Sequence, residues 1–376
     1  MGATSTPHKL KMQVKFETPS DLWYHRAMLL LRTTLLLLAI VACKDDRPAS
    51  APTTTGSGSG AAPATATSIT VYSGRSEKLV GPILADFERA HGVKLNVRYG
   101  ETAALATLLL EEGAASPATV FLAQDVGAVG ALTERGLLAA LPAPVLERVP
   151  AKYRADGKTW VGVTGRVRTF VHAPARVPAT EMPASVLALT EPRWKGKVGW
   201  APQNASFQVF VTGMRKLVGD DKTAAWLTQM KANGTRDYAK NGAIVQAVAA
   251  GEIDVGLVNH YYLYQFLKDD PAFAVKNHFT APGDAGSLVN LSAVGVLASA
   301  KPEAAAAGHA LATYLLSNDV QARFAKETHE YPLVEGAAAP EGLKPLAELE
   351  PPAIDLSTLG DLEGTLALLK RAGVTP

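Results

Sequence analysis

From residue 69 onward, short β-patterned runs alternate with amphipathic helical ones. That alternation confines the chain to α/β architectures built on a largely parallel sheet. Residues 69–72 read as a strand, and residues 77–91 repeat apolar side chains at Leu79, Val80, Ile83, Leu84 and Phe87, a helical stripe. Residues 93–99 alternate as a strand, 102–112 are helical, and 119–123 form a short buried strand before another helix, completing one βαβαβ half. A second unit is expected from near Arg166, with strands at 168–172, 197–201 and 254–259 and helices over 207–218 and 223–232. The apolar segment 288–298 and a helix over 303–316 are expected to return to the first half. Two α/β lobes joined by more than one crossing strand make a hinged clamshell. Residues 68–166 plus 290–342 are expected to form lobe 1, and 167–289 plus 343–376 lobe 2. No internal repeat of fixed period is present.

What precedes this domain has a different character. The run MLLLRTTLLLLAIVAC from Met28 places Arg32 before an apolar stretch at 35–41 of signal-peptide length, too short for a permanent span. Ile40-Val41-Ala42-Cys43 fits the lipobox cleaved before a cysteine that is then diacylated, so residues 1–43 are expected to be a signal peptide and Cys43 a lipid anchor. The bland alternative is a buried Cys in a short core helix. Residues 1–27 are polar and mixed, unlike the start of a leader, and translation is expected to begin at Met28. Residues 44–67 hold no large apolar side chain and read as a flexible linker, reaching about 27 Å as a random coil.

Charge and cysteine usage exclude several classes of function. The chain has 37 Lys and Arg against 35 Asp and Glu; five of the bases and two of the acids precede residue 44, which leaves 32 against 33. That balance offers no basic stripe for nucleic acid or an anionic membrane surface, so a small ligand is the expected partner. Cys43 is the one cysteine, which excludes a disulfide framework and a Cys-rich metal site. No GxSxG elbow, HExxH helix, GxGxxG turn or Walker loop occurs, and the chain is not expected to be an enzyme.

The segment DVGLVNHYYLY, 254–264, places Tyr261 and Tyr262 just past the carboxyl end of a strand, the edge at which open α/β sheets bind ligands. Fe(III) is a hard cation, and phenolate is the most basic oxygen donor among side chains, with a free pKa of about 10 that a bound cation lowers. Neighbouring strand residues face opposite ways, so both rings can meet one metal only where the strand ends and the backbone turns. A cluster of tyrosines is otherwise an aromatic packing group. Asn204, Ala205 and Ser206 stand where a helix begins, a place that suits an anion on free N–H groups and equally an ordinary N-cap.

The stretches VYSGRSEKLVGPIL (from Val71), SPATVFLAQD (Ser116), WVGVTGRVR (Trp160), PRWKGKVGWAPQNASF (Pro192), YAKNGAIVQAV (Tyr238), LVNHYYLY (Leu257) and EYPL (Glu330) resemble the periplasmic ferric-ion-binding proteins of bacterial ABC iron importers. The resemblance implies a type II periplasmic binding fold in which Tyr261 and Tyr262 coordinate Fe(III). It further implies a synergistic anion at Asn204, Ala205 and Ser206, supported by Asn241, Asn259 and Arg166. Many relatives add a His and a Glu ligand where this chain has Ser76 and Gln124. Arg75 and Arg166 stand beside those positions, so carbonate, phosphate or citrate is expected to balance Fe(III) held by two phenolates and to fill the vacant positions. Arg75 is otherwise an ion-pair partner. Asp125 is a further cleft acid or a helix start. His260 is expected to point away from the metal.

The chain is therefore expected to be the lipid-anchored receptor of an importer, working as a monomer outside the cytoplasmic membrane with a permease and its ATPase, and without nucleic acid. A rival of the same fold binds thiamine, a polyamine or intact ferric citrate, a rival motivated by the missing His and Glu. A second is a lipoprotein hydrolase with Ser206 or Ser287 as nucleophile, neither of which has a base partner visible in the sequence.

Overall fold

Ten strands and eleven α-helices are formed by residues 67–376, the part of the chain described by the computed structural model. The leader, Cys43 and tether residues 44–66 lie outside the described residues. The strands are β1 (Ser68–Ser73), β2 (Lys94–Tyr99), β3 (Val120–Ala123), β4 (Trp160–His172), β5 (Val198–Trp200), β6 (Arg236–Asp237), β7 (Val255–Asn259), β8 (Lys276–His278), β9 (Val289–Val296) and β10 (Tyr331–Pro332). The helices are α1 (Glu77–His91), α2 (Thr102–Glu112), α3 (Val126–Glu134), α4 (Ala143–Leu146), α5 (Ala205–Val218), α6 (Asp220–Ala232), α7 (Asn241–Ala250), α8 (Tyr261–Leu267), α9 (Pro302–Leu315), α10 (Asn318–Thr328) and α11 (Leu362–Arg371). Among the described residues no helix is long and apolar enough to cross a membrane.

The architecture is mixed α/β. Strand order is β2-β1-β3-β9-β4-β7-β5-β6, with β8 and β10 also on β4. In the first half β1 runs parallel to β2 and β3, while β9 lies antiparallel to β3 and β4. In the second, β5 is parallel to β6 and β7, and β7 is antiparallel to β4. The helices cover the sheet with predicted stripes. Val80, Ile83, Leu84 and Phe87 of α1 are buried, and the helix stops at Gly92 in the left-handed region, where glycine costs least.

Strand β4 joins the halves. Its 13 residues are all buried, as in strands covered on both faces. Residues up to Val167 pair with β9, whereas Arg168 to His172 pair with β7. The sequence reading placed only 168–172 in a strand; β4 begins at Trp160 and absorbs a register shift between Gly162 and Thr164. That irregularity breaks the alternation a sequence pattern relies on. Strands β6, β8 and β10 are two or three residues long and too short to leave a pattern.

Two main cores lie on either side of this junction, one including Val71, Phe121, Trp160 and Val294, the other Phe170, Trp200, Phe207 and Trp226. The carboxyl-terminal segment 343–376 does not belong wholly to the second half. Leu346, Leu349, Leu356 and Leu359 pack into the first core, and Leu368, Leu369 and Val374 into the second. Gly127 and Gly130 of α3 create the seat: a Cβ at Gly127 would stand 3.0 Å from Gly360 Cα and from the Leu359 carbonyl. Larger side chains on α3 would push the segment away.

Candidate functional site

The phenol pair is set by how β7 ends. Its five residues are buried, and Gly256 lets α7 approach closely, since a Cβ there would lie 2.3 Å from Ile244 Cγ2. The strand ends at Asn259 and α8 starts at Tyr261, so the backbone turns between them. His260 fixes that turn from inside: its Nδ1 accepts from the Val167 N–H at 3.1 Å and its Nε2 donates to the His329 carbonyl at 2.7 Å. The imidazole is fully buried, with its ring edge-on to that of Tyr261 at 5.9 Å. Tyr261 and Tyr262 are half-buried, with ring centroids 4.4 Å apart and planes 29° from parallel. Burial first, then the adjoining Tyr262 phenol, raise the Tyr261 pKa above the ordinary tyrosine range, while Arg166 acts in the opposite direction.

A concentration of buried guanidinium groups surrounds this turn. Arg166 and Arg168 lie two residues apart on β4, on one face of the strand, each 2% exposed. Arg166 donates to the Gln124 carbonyl, and its Nε has no partner. Arg168 donates to the Leu257 carbonyl at 2.9 Å and to Asn259 Oδ1 at 3.4 Å, and lies over the rings of Phe207 and Phe210. Burial lowers its pKa to about 9, partly offset by Tyr262 and Tyr261; it stays cationic at neutral pH.

Arg75 has a different partner from the anion expected of it. Its guanidinium is bound to Glu330 Oε1 at 2.7 Å, with both side chains 3% exposed. Glu330 also accepts from Thr164 Oγ1, which in turn meets Ser292 Oγ at 2.6 Å. Burial alone would raise the Glu330 carboxyl, but Arg75 and Arg166, with the Thr164 hydrogen bond, hold it below its usual range.

Asn204 caps α5, its Oδ1 accepting from the Ser206 N–H at 3.0 Å and the Ser206 hydroxyl at 2.6 Å. Asn241 Nδ2 joins the same oxygen at 3.1 Å, while its own Oδ1 is buried without a partner. Ala205 opens the helix, and Asn259 connects to it through Arg168. Thus Asn204, Ala205, Ser206 and Asn241 form one cluster, with Asn259 and Arg168 next to it. On the opposite side, Ser76 precedes α1 without capping it and lines a cavity of about 550 Å³ together with Lys78, Tyr261, Tyr264, His329 and Glu330. Asp125 caps α3 through the Ala128 N–H, its pKa raised by burial and lowered by Arg166. Gln124 meets Arg166 through its backbone carbonyl.

Chemically, two phenol oxygens and a helix N-terminus lie beside two guanidinium groups: Arg166, whose charge is shared with Glu330 and Asp125, and Arg168, which no carboxylate pairs with among the described residues. Such a place favours a cation only together with an anion. Ser206 and Ser287 have no imidazole among their hydrogen-bond partners; Ser206 meets Asn204 and Asn241, and Ser287 meets Thr280. Sequence reasoning missed Arg168, Glu330 and His329. The two-residue spacing from Arg166 is the one signal that points to Arg168, and the burial of Glu330 leaves none.

Residues 116–354 match the profile of the bacterial extracellular solute-binding proteins. The Fe(3+)-binding periplasmic protein of Serratia marcescens is 33% identical over 309 residues, which are 81% of this chain and 90% of that protein. The major ferric iron-binding protein of Neisseria meningitidis serogroup B is 32% identical over 310 residues, 81% and 93% of the two chains. Iron-bound HitA from Pseudomonas aeruginosa superposes with a TM-score of 0.75 at 31% identity, covering 82% of this chain and 99% of its own. The Trichodesmium protein solved with iron and citrate superposes at 0.72 and 27% identity, covering 82% and 100%.

Proposed function

The chain belongs to the bacterial extracellular solute-binding proteins, and on that premise we propose that it binds Fe(III) with a small anion between its two lobes and delivers it to the permease and ATPase of an ABC importer. The observation that carries this reading is the stacked Tyr261–Tyr262 pair at the end of β7, next to Arg166 and Arg168. Two phenolates leave Fe(III) with one formal positive charge. Carbonate, phosphate or citrate, bound at the N-terminus of α5 with Asn241 and Asn259, would balance that charge and fill the remaining coordination positions.

The phenol chemistry supports selectivity for a trivalent cation. Burial and the neighbouring phenol keep Tyr261 protonated at neutral pH. A bound cation must itself displace the proton, and a higher charge does so more effectively. Ser76 and Gln124 supply no His or Glu ligand, which assigns the rest of the coordination sphere to the anion. Buried guanidinium groups argue against a polyamine as cargo. In this reading the protein is a periplasmic carrier and not a catalyst. Cys43 anchors it by lipid, residues 44–67 tether it, and it acts as a monomer.

The test is colour. Metal-free protein mixed with ferric nitrilotriacetate in the presence of carbonate, phosphate or citrate is expected to develop a visible tyrosinate-to-iron charge-transfer band. Tyr261→Phe and Tyr262→Phe should each abolish or shift it. A colourless wild-type protein under all three anions rejects iron binding through these residues.

A further inference from the structure

Arg168 is a buried charge beside the phenol pair to which the iron reading gives no contact with cargo or anion. It is 2% exposed, its Nε has no partner, and no carboxylate pairs with it among the described residues. A guanidinium kept only to fill space would be better replaced by an apolar chain, because desolvating a charge without a counter-ion is costly. Its surroundings show where a counter-ion belongs. Phe207, over whose ring the guanidinium lies at 5.5 Å, is in the first turn of α5, beside the Asn204 cap. Asn259, its partner in the β4–β7 register, precedes the phenols by two residues.

The orientation of the Asn259 amide follows from the same contact. Arginine only donates, so the atom facing Nη1 must be the amide oxygen. The amide nitrogen is therefore directed away from Arg168 and free to donate elsewhere.

From this arrangement we infer that Arg168 is a positioning residue for the bound anion and the two phenolates: its fixed positive charge, not its bulk, makes the lobe-2 half of the site bind negative groups and aims the Asn259 amide nitrogen at them. It touches neither cargo nor anion directly. The inference rests on the iron reading above.

The experiment compares Arg168→Lys, Arg168→Met and Arg168→Gln with wild type, each checked for folding by circular dichroism and titrated with ferric nitrilotriacetate with and without phosphate. Arg168→Met is expected to weaken iron binding by about 10- to 100-fold, the usual cost of losing a group that orients metal ligands. It should also lose most of the enhancement by phosphate. Its charge-transfer band should move to longer wavelength, because a phenolate that loses a neighbouring cation gives up charge to the metal at lower energy. Arg168→Lys, which keeps the charge, should stay close to wild type in all three measures.

Equal losses in the Lys and Met variants would assign the residue to packing and overturn the inference. So would a Met variant with wild-type affinity and band position. If Arg168→Met does not fold, the uncharged polar Arg168→Gln takes its place with the same expected losses, and a wild-type result there is equally fatal. A wild-type protein without a band fails the iron reading itself, before any Arg168 variant is compared.

Discussion

Acidifying the metal-free protein from pH 7 to pH 5 should remove about 2 kcal/mol of unfolding free energy through His260 alone. The imidazole titrates near 6.5 in an unfolded chain, whereas burial lowers it to about 4 in the fold, with the His329 and Val167 backbone groups and Glu330 pulling weakly the other way. Because the folded value is the lower one, the unfolded state binds more protons throughout the interval from 6.5 to 4. Stability is thus fully present above that interval and declines as pH falls through it. At pH 5 nearly every unfolded chain carries the proton and few folded ones do, which gives the 2 kcal/mol; below pH 4 the loss levels off at about 3 kcal/mol. The structural cause is the complete burial of the ring, which leaves the imidazolium without water. Urea unfolding followed by tryptophan fluorescence at pH 7 and pH 5 measures the difference. His260→Asn should shrink the pH-dependent loss by about 2 kcal/mol, while the remaining histidines contribute equally to both proteins. An identical loss in variant and wild type would refute the argument.

Arg75→Met should destabilise the fold by about 3–5 kcal/mol, because it strands Glu330 in a site 3% exposed; adding Glu330→Gln should restore part of that, and urea midpoints without any restoration would contradict the pairing. Gly256→Ala should cost about 1–3 kcal/mol by forcing β7 away from Ile244, read as a lower melting temperature; an unchanged one would show slack between β7 and α7.

Much of this fold could be read from periodicity. The stripe from Leu79 to Phe87 predicted α1 with both ends correct, and the requirement that the backbone turn before two adjacent phenols can converge anticipated the break between Asn259 and Tyr261. Periodicity reports which face is apolar, and it fails where a buried residue is charged. Arg168 opens the strand read over 168–172 with nothing in the pattern to mark its burial, and it is sealed beneath α5 in the structure. Arg75 was expected to meet an anion, and its neighbour is Glu330, 255 residues away, brought to it by the return of β10 to β4. Contacts across such distances in the chain leave no local trace. The close seating of Ser357 to Gly360 likewise depends on two glycines on α3, far away in the chain.

Strand β4 ties grip to shape. Thirteen residues at about 3.3 Å each make a continuous rod of roughly 43 Å, and its sheet neighbours are exchanged for others at Val167. Neither half can slide past the other without breaking that rod, so a change of angle would twist β4 where its neighbours change. Arg166 and Arg168 flank that point, and torsion there rotates one guanidinium relative to the other. Any change of angle between the halves would therefore misalign the charges around the phenol pair in the same stroke.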